Sequence, residues 1–230
     1  DKGYKQEQIE TLRWLDKTII RLITKFSDYK KDDISSFKLN NRFSQFPQFM
    51  YYLRRSPFIS DFNSSLDEGI FYKSSLIYET MLNCTIMIQP ILYSYTPEVP
   101  EATPVHLDID HMKDDAVLYL DAFFFVCIWH GKNVADWRDK GLHENPEYEN
   151  IKTMLELPQE SAQETLMERL PVPKYISCDS GNGQERYVKF TVNPSCSNSE
   201  QNSGIPEGFY TDDVSLKKFW EHLKKKVVQS

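Results

Sequence analysis

Ala116-Val117-Leu118-Tyr119-Leu120-Asp121 reads as a β-strand, and the run from Phe123 to Trp129 reads as a second strand, ended by His130-Gly131-Lys132. β-Branched and aromatic side chains suit a pleated, buried surface. Two close strands with a glycine turn at the far end predict the middle of a small mixed sheet. Upstream, the texture of the chain changes at Cys84. Thr85 to Leu92 is apolar and β-branched, with Pro90 marking a strand edge or bend. Pro97, Pro100 and Pro104 make the next segment a loop. Downstream, Pro146 serves as the first residue of a helix running to about 156. Ser161 to Leu170 forms another helix, stopped by Pro171 and Pro173.

The stretch from Tyr175 to Val188 then reads as strand, tight polar loop and strand. Tyr175 and Ile176 are β-formers, and Asp179, Ser180, Gly181, Asn182 and Gly183 are turn formers that tolerate positive φ. Val188, Phe190 and Val192 alternate with Lys189 and Thr191, the period of a half-buried strand. On this reading Arg186 sits where a loop re-enters the sheet. A rigid strand holds it there, and its guanidinium reaches outward.

The first third is helical. Ile9, Leu12, Leu15, Ile19, Leu22, Ile23 and Phe26 recur at helical spacing over about 4–27. Lys30-Lys31-Asp32-Asp33 is a charged break. An aromatic-rich helix follows at about 42–55 and a third at about 67–83. Residues about 194–210 are small and polar. Thr211 is a plausible N-cap for a final helix, with Asp212 and Asp213 in its first turn. Val214, Leu216, Phe219, Trp220 and Leu223 supply the apolar side of that helix, and Lys224-Lys225-Lys226 suits its end.

The 230 residues are 40% hydrophobic and 27% charged, enough for a real core in one large domain or two small ones. A net charge of −7 and a pI near 5.3 argue against nucleic acid as a partner. No run approaches the ~18 apolar residues of a membrane span. The chain starts at Asp1 without a signal segment and goes directly into a helical pattern, which reads as a piece of a longer protein. Cys84, Cys127, Cys178 and Cys196 are far apart with no C-x-x-C, which predicts reduced thiols rather than zinc or a disulfide framework.

Local chemistry yields no enzyme active site. His106, Asp108, Asp110, His111, Asp114 and Asp115 cluster, but a proline-rich loop does not promise convergent metal ligands, and a solvated acidic loop is the better reading. His130 has no nucleophile motif beside it and reads as a turn histidine. Gly181-x-Gly183 is too short for a phosphate loop.

Several segments, taken in order, resemble one family. They are Arg13-Trp14-Leu15-Asp16-Lys17, Lys31-Asp32-Asp33, Pro47-Gln48-Phe49-Met50 with Tyr51-Tyr52-Leu53-Arg54-Arg55-Ser56, and Met87-Ile88-Gln89-Pro90-Ile91-Leu92-Tyr93. Pro146-Glu147-Tyr148-Glu149-Asn150, Asn193-Pro194-Ser195 and Thr211-Asp212-Asp213-Val214-Ser215-Leu216 complete the set. Together they resemble the C-terminal part of the Sec-twenty-three family, the GTPase-activating inner-coat subunit of COPII vesicles. The resemblance implies an α+β chain: an all-helical domain over 1–83, then a gelsolin-like domain over 84–210 with a mixed sheet flanked by helices. A C-terminal helix over 211–230 returns to the helical part.

The resemblance further implies that Arg186, in Gln184-Glu185-Arg186, is an arginine finger entering the nucleotide site of a Sar-type small GTPase. The chain is then no enzyme itself but donates a catalytic group to its partner. Gln184, Glu185 and Tyr148 are the implied partner-binding residues, Tyr148 as a stacking face for proline-rich segments of the outer coat. A tyrosine covering the sheet from a helix surface is the alternative for Tyr148. Glu185 stands where the family usually has a small residue; its carboxylate is able to pair with Arg186 and hold it back, or to bind a partner group. Lys189 and Phe190 also depart from the family pattern. No cofactor is implied within this chain, the family's structural zinc lying upstream, as does the trunk domain that meets the cargo-selecting inner-coat subunit. Peripheral contact at the cytosolic face of the endoplasmic reticulum follows from the same resemblance. A gelsolin-superfamily actin-binding module and a coat scaffold with a silent finger are the alternatives.

Overall fold

The computed structural model describes residues 2–59, 65–192 and 216–229. The chain divides into two compact units, one made by the residues up to Glu79 together with the last helix, the other running from Thr80.

In the first unit, helix α1 (Lys2–Lys25) buries Leu15, Ile19 and Ile23, a stripe at i, i+4 and i+8. Helix α8 (Leu216–Gln229) presents Phe219, Leu223 and Val227 at the same spacing. Both pack with Met50 and Tyr51 of α2 (Phe46–Arg55), where the Tyr51 and Phe219 rings lie 5.4 Å apart. The expected return of the last helix to the helical part is thus present. Thr211, Asp212 and Asp213, expected to begin that helix, lie outside the described residues, as does the loop 194–210. An ion pair is buried in the same unit: Arg54 Nε donates to Asp16 Oδ1 at 2.9 Å. Helix α3 (Leu66–Tyr78) begins with a capping box, Glu68 N–H donating to Ser65 Oγ and Ser65 N–H to the Glu68 carboxylate.

The expectation of an all-helical first unit needs correction. The charged break is the turn of an antiparallel hairpin, β1 (Ser27–Lys30) with β2 (Asp33–Leu39). Asp32 takes a positive φ of 61° there, a conformation Asp tolerates. Phe37 and Leu39 pack on the helices while Lys38 between them stays exposed, the period of a strand.

The second unit opens with another correction. Residues expected as a strand from Thr85 begin within a helix, α4 (Met81–Ile88). Thr80 caps it by accepting from Asn83 N–H, and Pro90 marks the change to strand β3 (Ile91–Tyr95). With β4 (Thr103–Val105), β5 (Val117–Asp121), β6 (Phe125–His130) and β7 (Lys174–Asp179) it builds a five-stranded sheet in the order β4-β3-β5-β6-β7. The pairs are antiparallel except β6 with β7, which run parallel. The expected mixed sheet is therefore present, with β5 and β6 at its centre.

Both faces of that centre are covered, which is why its strands are apolar without alternation. Tyr119, Val126 and Ile128 face Ile151, Met154, Leu155 and Ala162 of α6 (Glu149–Glu168). Leu118, Cys127, Trp129, Ile176 and Cys178 face Val188 and Val192 of α7 (Arg186–Val192). Two more expectations fail here. The pair of helices read at 146–156 and 161–170 is one helix, α6, with Pro158 buried inside it. Proline removes one ladder bond, and packing against the sheet keeps the helix continuous. The segment after Arg186 is a helix rather than a strand. Val188 and Val192 face the core as an i, i+4 pair while Phe190 is exposed.

Gly131 caps helix α5 (Lys132–Asp139) and donates its N–H to Ala116 O at 2.9 Å. A Cβ at this position would lie 2.4 Å from the carbonyl oxygens of both Lys113 and Asp114. Both obstacles are backbone, and the Asp114 oxygen also accepts from Asn133 N–H. We expect Gly131→Ala to destabilise this unit by about 3 kcal/mol, the upper range for overpacking a tight site. Denaturant unfolding checks this; an unchanged midpoint would show that the 113–114 loop yields freely.

Candidate functional site

Residues 179–186 join β7 to α7, and the side chains of Asp179, Asn182 and Glu185 tie this loop to itself and to its neighbours. At the entry, Arg138 of α5 grips Asp179 with two bonds, NH1 to Oδ1 at 3.0 Å and NH2 to Oδ2 at 2.9 Å. Paired first with Arg138, the Asp179 carboxyl is held below its ordinary 3.8. Ser180 N–H donates to His130 O at 2.8 Å, tying the loop to the end of β6. His130 itself is 3% exposed, with Nδ1 3.3 Å from Asp179 Oδ1 but without hydrogen-bond geometry. Burial, reinforced by the Arg138 charge, pushes its pKa below 6.5 and keeps the ring neutral at neutral pH. The expected turn histidine is therefore a strand-end residue, buried beside a carboxylate.

Within the loop, Gly181 takes φ 85°, a left-handed conformation open to glycine at little cost. Asn182 N–H donates to Asp179 O and Glu185 N–H to Asn182 O, both at 3.0 Å. The Asn182 side chain accepts from Gln184 N–H at 2.9 Å. The turn chemistry read from Asp179 to Gly183 is what folds it.

The three residues of the Gln-x-Arg motif diverge at this point. Gln184 is exposed. Glu185 turns inward and is 7% exposed. Its carboxylate accepts from the Trp129 indole N–H at 3.2 Å and from Gly181 N–H at 3.2 Å, and Lys189 Nζ lies 2.9 Å away. The Glu185 carboxylate is thus occupied by the fold rather than by Arg186. Arg186, the first residue of α7, is exposed, its guanidinium carbon 5.5 Å from the centroid of the Tyr187 ring. Lys174 Nζ donates to the Tyr187 hydroxyl at 2.9 Å; chiefly through this bond, and also through Arg186, the phenol titrates below its ordinary 10.0.

Tyr148 lies elsewhere, at the end of a 3-10 turn (Pro146–Tyr148) that leads into α6. It is 41% exposed, and the Asn145 side chain holds the turn by accepting from Glu147 N–H. Asp108, in the acidic segment, caps a short turn by accepting from Asp110 N–H. Among the described residues no group of three or more His, Cys, Asp or Glu side chains converges. Sequence reasoning missed Arg138, Trp129 and Lys189 as groups that shape this loop, and it read Asp179 as a turn former without its pairing to Arg138. Only Lys189, four residues after Glu185, carried a local signal.

Residues 1–86 match the sequence model of the Sec23/Sec24 helical domain. Over 96% of its length the chain resembles the crystal structure of the human COPII-coat protein Sec24c, with a TM-score of 0.68 and 12% identity. At that identity the likeness is one of fold. The chain spans about 30% of the length of that relative.

Proposed function

We propose that this chain, a member of the Sec23/Sec24 family through its helical domain, belongs to a COPII coat subunit that activates GTP hydrolysis by a Sar-type small GTPase. The observation that carries the reading is Arg186. It is an exposed guanidinium at the end of a loop held in place by the Asp179, Asn182 and Glu185 side chains. Phosphoryl transfer spreads negative charge over the γ-phosphate and leaving oxygens, and a forked, permanently charged guanidinium stabilises that charge. The chemistry stays with the GTPase; this chain lends it one group. The experiment is single-turnover GTP hydrolysis with the complete parent subunit, wild type against Arg186→Ala.

The helical-domain match counts against an actin-binding module, which has no need of that unit. A silent finger would require Glu185 to neutralise Arg186, and its carboxylate is committed to Trp129, Gly181 and Lys189. The cargo-selecting subunit and the outer coat remain further proposed partners, at the cytosolic face of the endoplasmic reticulum. Among the described residues no helix is long and apolar enough to cross a membrane; the proposed membrane contact is the peripheral one that the resemblance implies.

Tyr148 is the proposed contact for proline-rich segments of the outer coat. An exposed phenol ring stacks well on a polyproline helix. We expect Tyr148→Ala in the complete subunit to weaken binding of a proline-rich peptide about 10-fold, the loss typical of an aromatic anchor. Fluorescence anisotropy measures it. Unchanged affinity would return Tyr148 to the role of a helix-surface residue.

A further inference from the structure

We infer that Glu185 is a positioning residue for Arg186: its buried carboxylate locks the backbone from which the guanidinium projects. The inference rests on the finger reading above. One peptide unit separates the two residues, and their side chains leave it in opposite senses, Glu185 buried and Arg186 exposed. The Glu185 carboxylate gathers groups from three elements: the Trp129 indole on β6, the Gly181 amide in the turn, and the Lys189 ammonium one turn along α7. Bonds to an ionised acceptor are the stronger kind, and these three fix sheet, turn and helix to one point. The Arg138 grip on Asp179 fixes the other end of the loop. Arg186 thereby follows a loop clamped at both of its ends.

Such a mounting matters to a group that must enter another protein's site. A charge-stabilising side chain accelerates the reaction only where it meets the transition state, and a displacement of about 1 Å costs on the order of 10²-fold. A loose loop would also have to be ordered at each encounter. With Glu185 removed, the Trp129 and Gly181 donors lose their shared acceptor and the turn is freed from the strand beneath it. Arg186 keeps its charge and loses its fixed origin.

The test uses the complete parent subunit with its Sar-type GTPase. Single-turnover hydrolysis is followed over a range of subunit concentrations, giving a maximal rate and a half-saturating concentration. Arg186→Ala, Glu185→Ala and Glu185→Gln are compared with wild type. We expect Glu185→Ala to lower the maximal rate about 10- to 100-fold, with the half-saturating concentration within about 2-fold of wild type. Glu185→Gln keeps one acceptor oxygen and should fall between. If Glu185→Ala does not fold, Glu185→Gln decides, with a drop of about 3-fold or more expected in the maximal rate. A maximal rate within 2-fold of wild type for the decisive variant, beside a collapsed Arg186→Ala, overturns the inference and leaves the finger standing. A loss seen only in the half-saturating concentration overturns it equally. If Arg186→Ala hydrolyses normally, the finger reading fails and this inference fails with it.

Discussion

Arg186→Ala in the complete parent subunit is expected to slow GTP hydrolysis by the partner GTPase about 10³-fold or more at equal binding, the range over which arginine fingers act. The loss should appear in the maximal single-turnover rate, because the guanidinium meets charge that develops only as the phosphoryl group transfers. Lysine at this position should restore little. A single ammonium lacks the planar fork that spans two oxygens at once, and its hydration is harder to shed. Protein stability gives the control. Arg186 is exposed and lies over the Tyr187 ring at 5.5 Å. Its truncation should change folding stability by no more than about 0.5 kcal/mol, as at other surface sites. A large rate loss with an unmoved melting temperature therefore isolates the chemistry. A rate within a few-fold of wild type at equal binding would sink the finger, and the chain would then be read as a scaffold of the coat.

The sequence shows most clearly what is repeated locally. The α1 stripe of Leu15, Ile19 and Ile23 carries its own period and the β-formers of β5 make one continuous apolar run, so both elements stand where the residues predict them. The turn formers from Asp179 to Gly183 likewise make the turn. Short segments mislead because few residues sample two periods at once. Val188, Phe190 and Val192 satisfy a strand's alternation and, through Val188 and Val192, a helix's i, i+4 spacing. Packing on the Trp129 face decided for the helix and left Phe190 in solvent. Pro158 has the opposite lesson, since a residue that ends helices in isolation sits inside a 20-residue one. The site's controlling contacts were out of reach for another reason. Arg138 meets Asp179 across 41 residues of sequence and Trp129 meets Glu185 across 56. No local pattern encodes such pairs; they exist only once β6 and β7 lie side by side. Glu185 was visible as a departure from the family, but its burial, and so its meaning, was not.

Asp16 and Arg54, 38 residues apart, form another such pair, and it carries the largest stability prediction. We expect Arg54→Met to destabilise the unit built on α1, α2 and α8 by about 3–5 kcal/mol at pH 7.5, the cost of leaving one partner of a buried ion pair behind. Both residues are buried, Arg54 at 4% exposure and Asp16 at 8%. Burial is the dominant influence on Asp16 and raises its pKa above 3.8 even with Arg54 pulling downward. Methionine replaces the arginine's apolar stem but not its charge, so the Asp16 pKa climbs further. A carboxyl whose folded pKa is raised contributes stability that is fully present below its unfolded value and lost as pH rises through its folded value. The penalty of Arg54→Met is accordingly complete at pH 7.5 and shrinks as pH falls through the variant's higher Asp16 pKa. Adding Asp16→Asn should recover much of the loss at pH 7.5 by removing the stranded charge. Denaturant unfolding of the two variants and wild type at pH 7.5 and pH 5 measures all of this. A loss below about 1 kcal/mol, the worth of an ordinary surface pair, would mean that water reaches Asp16 and that the pair is not buried in solution.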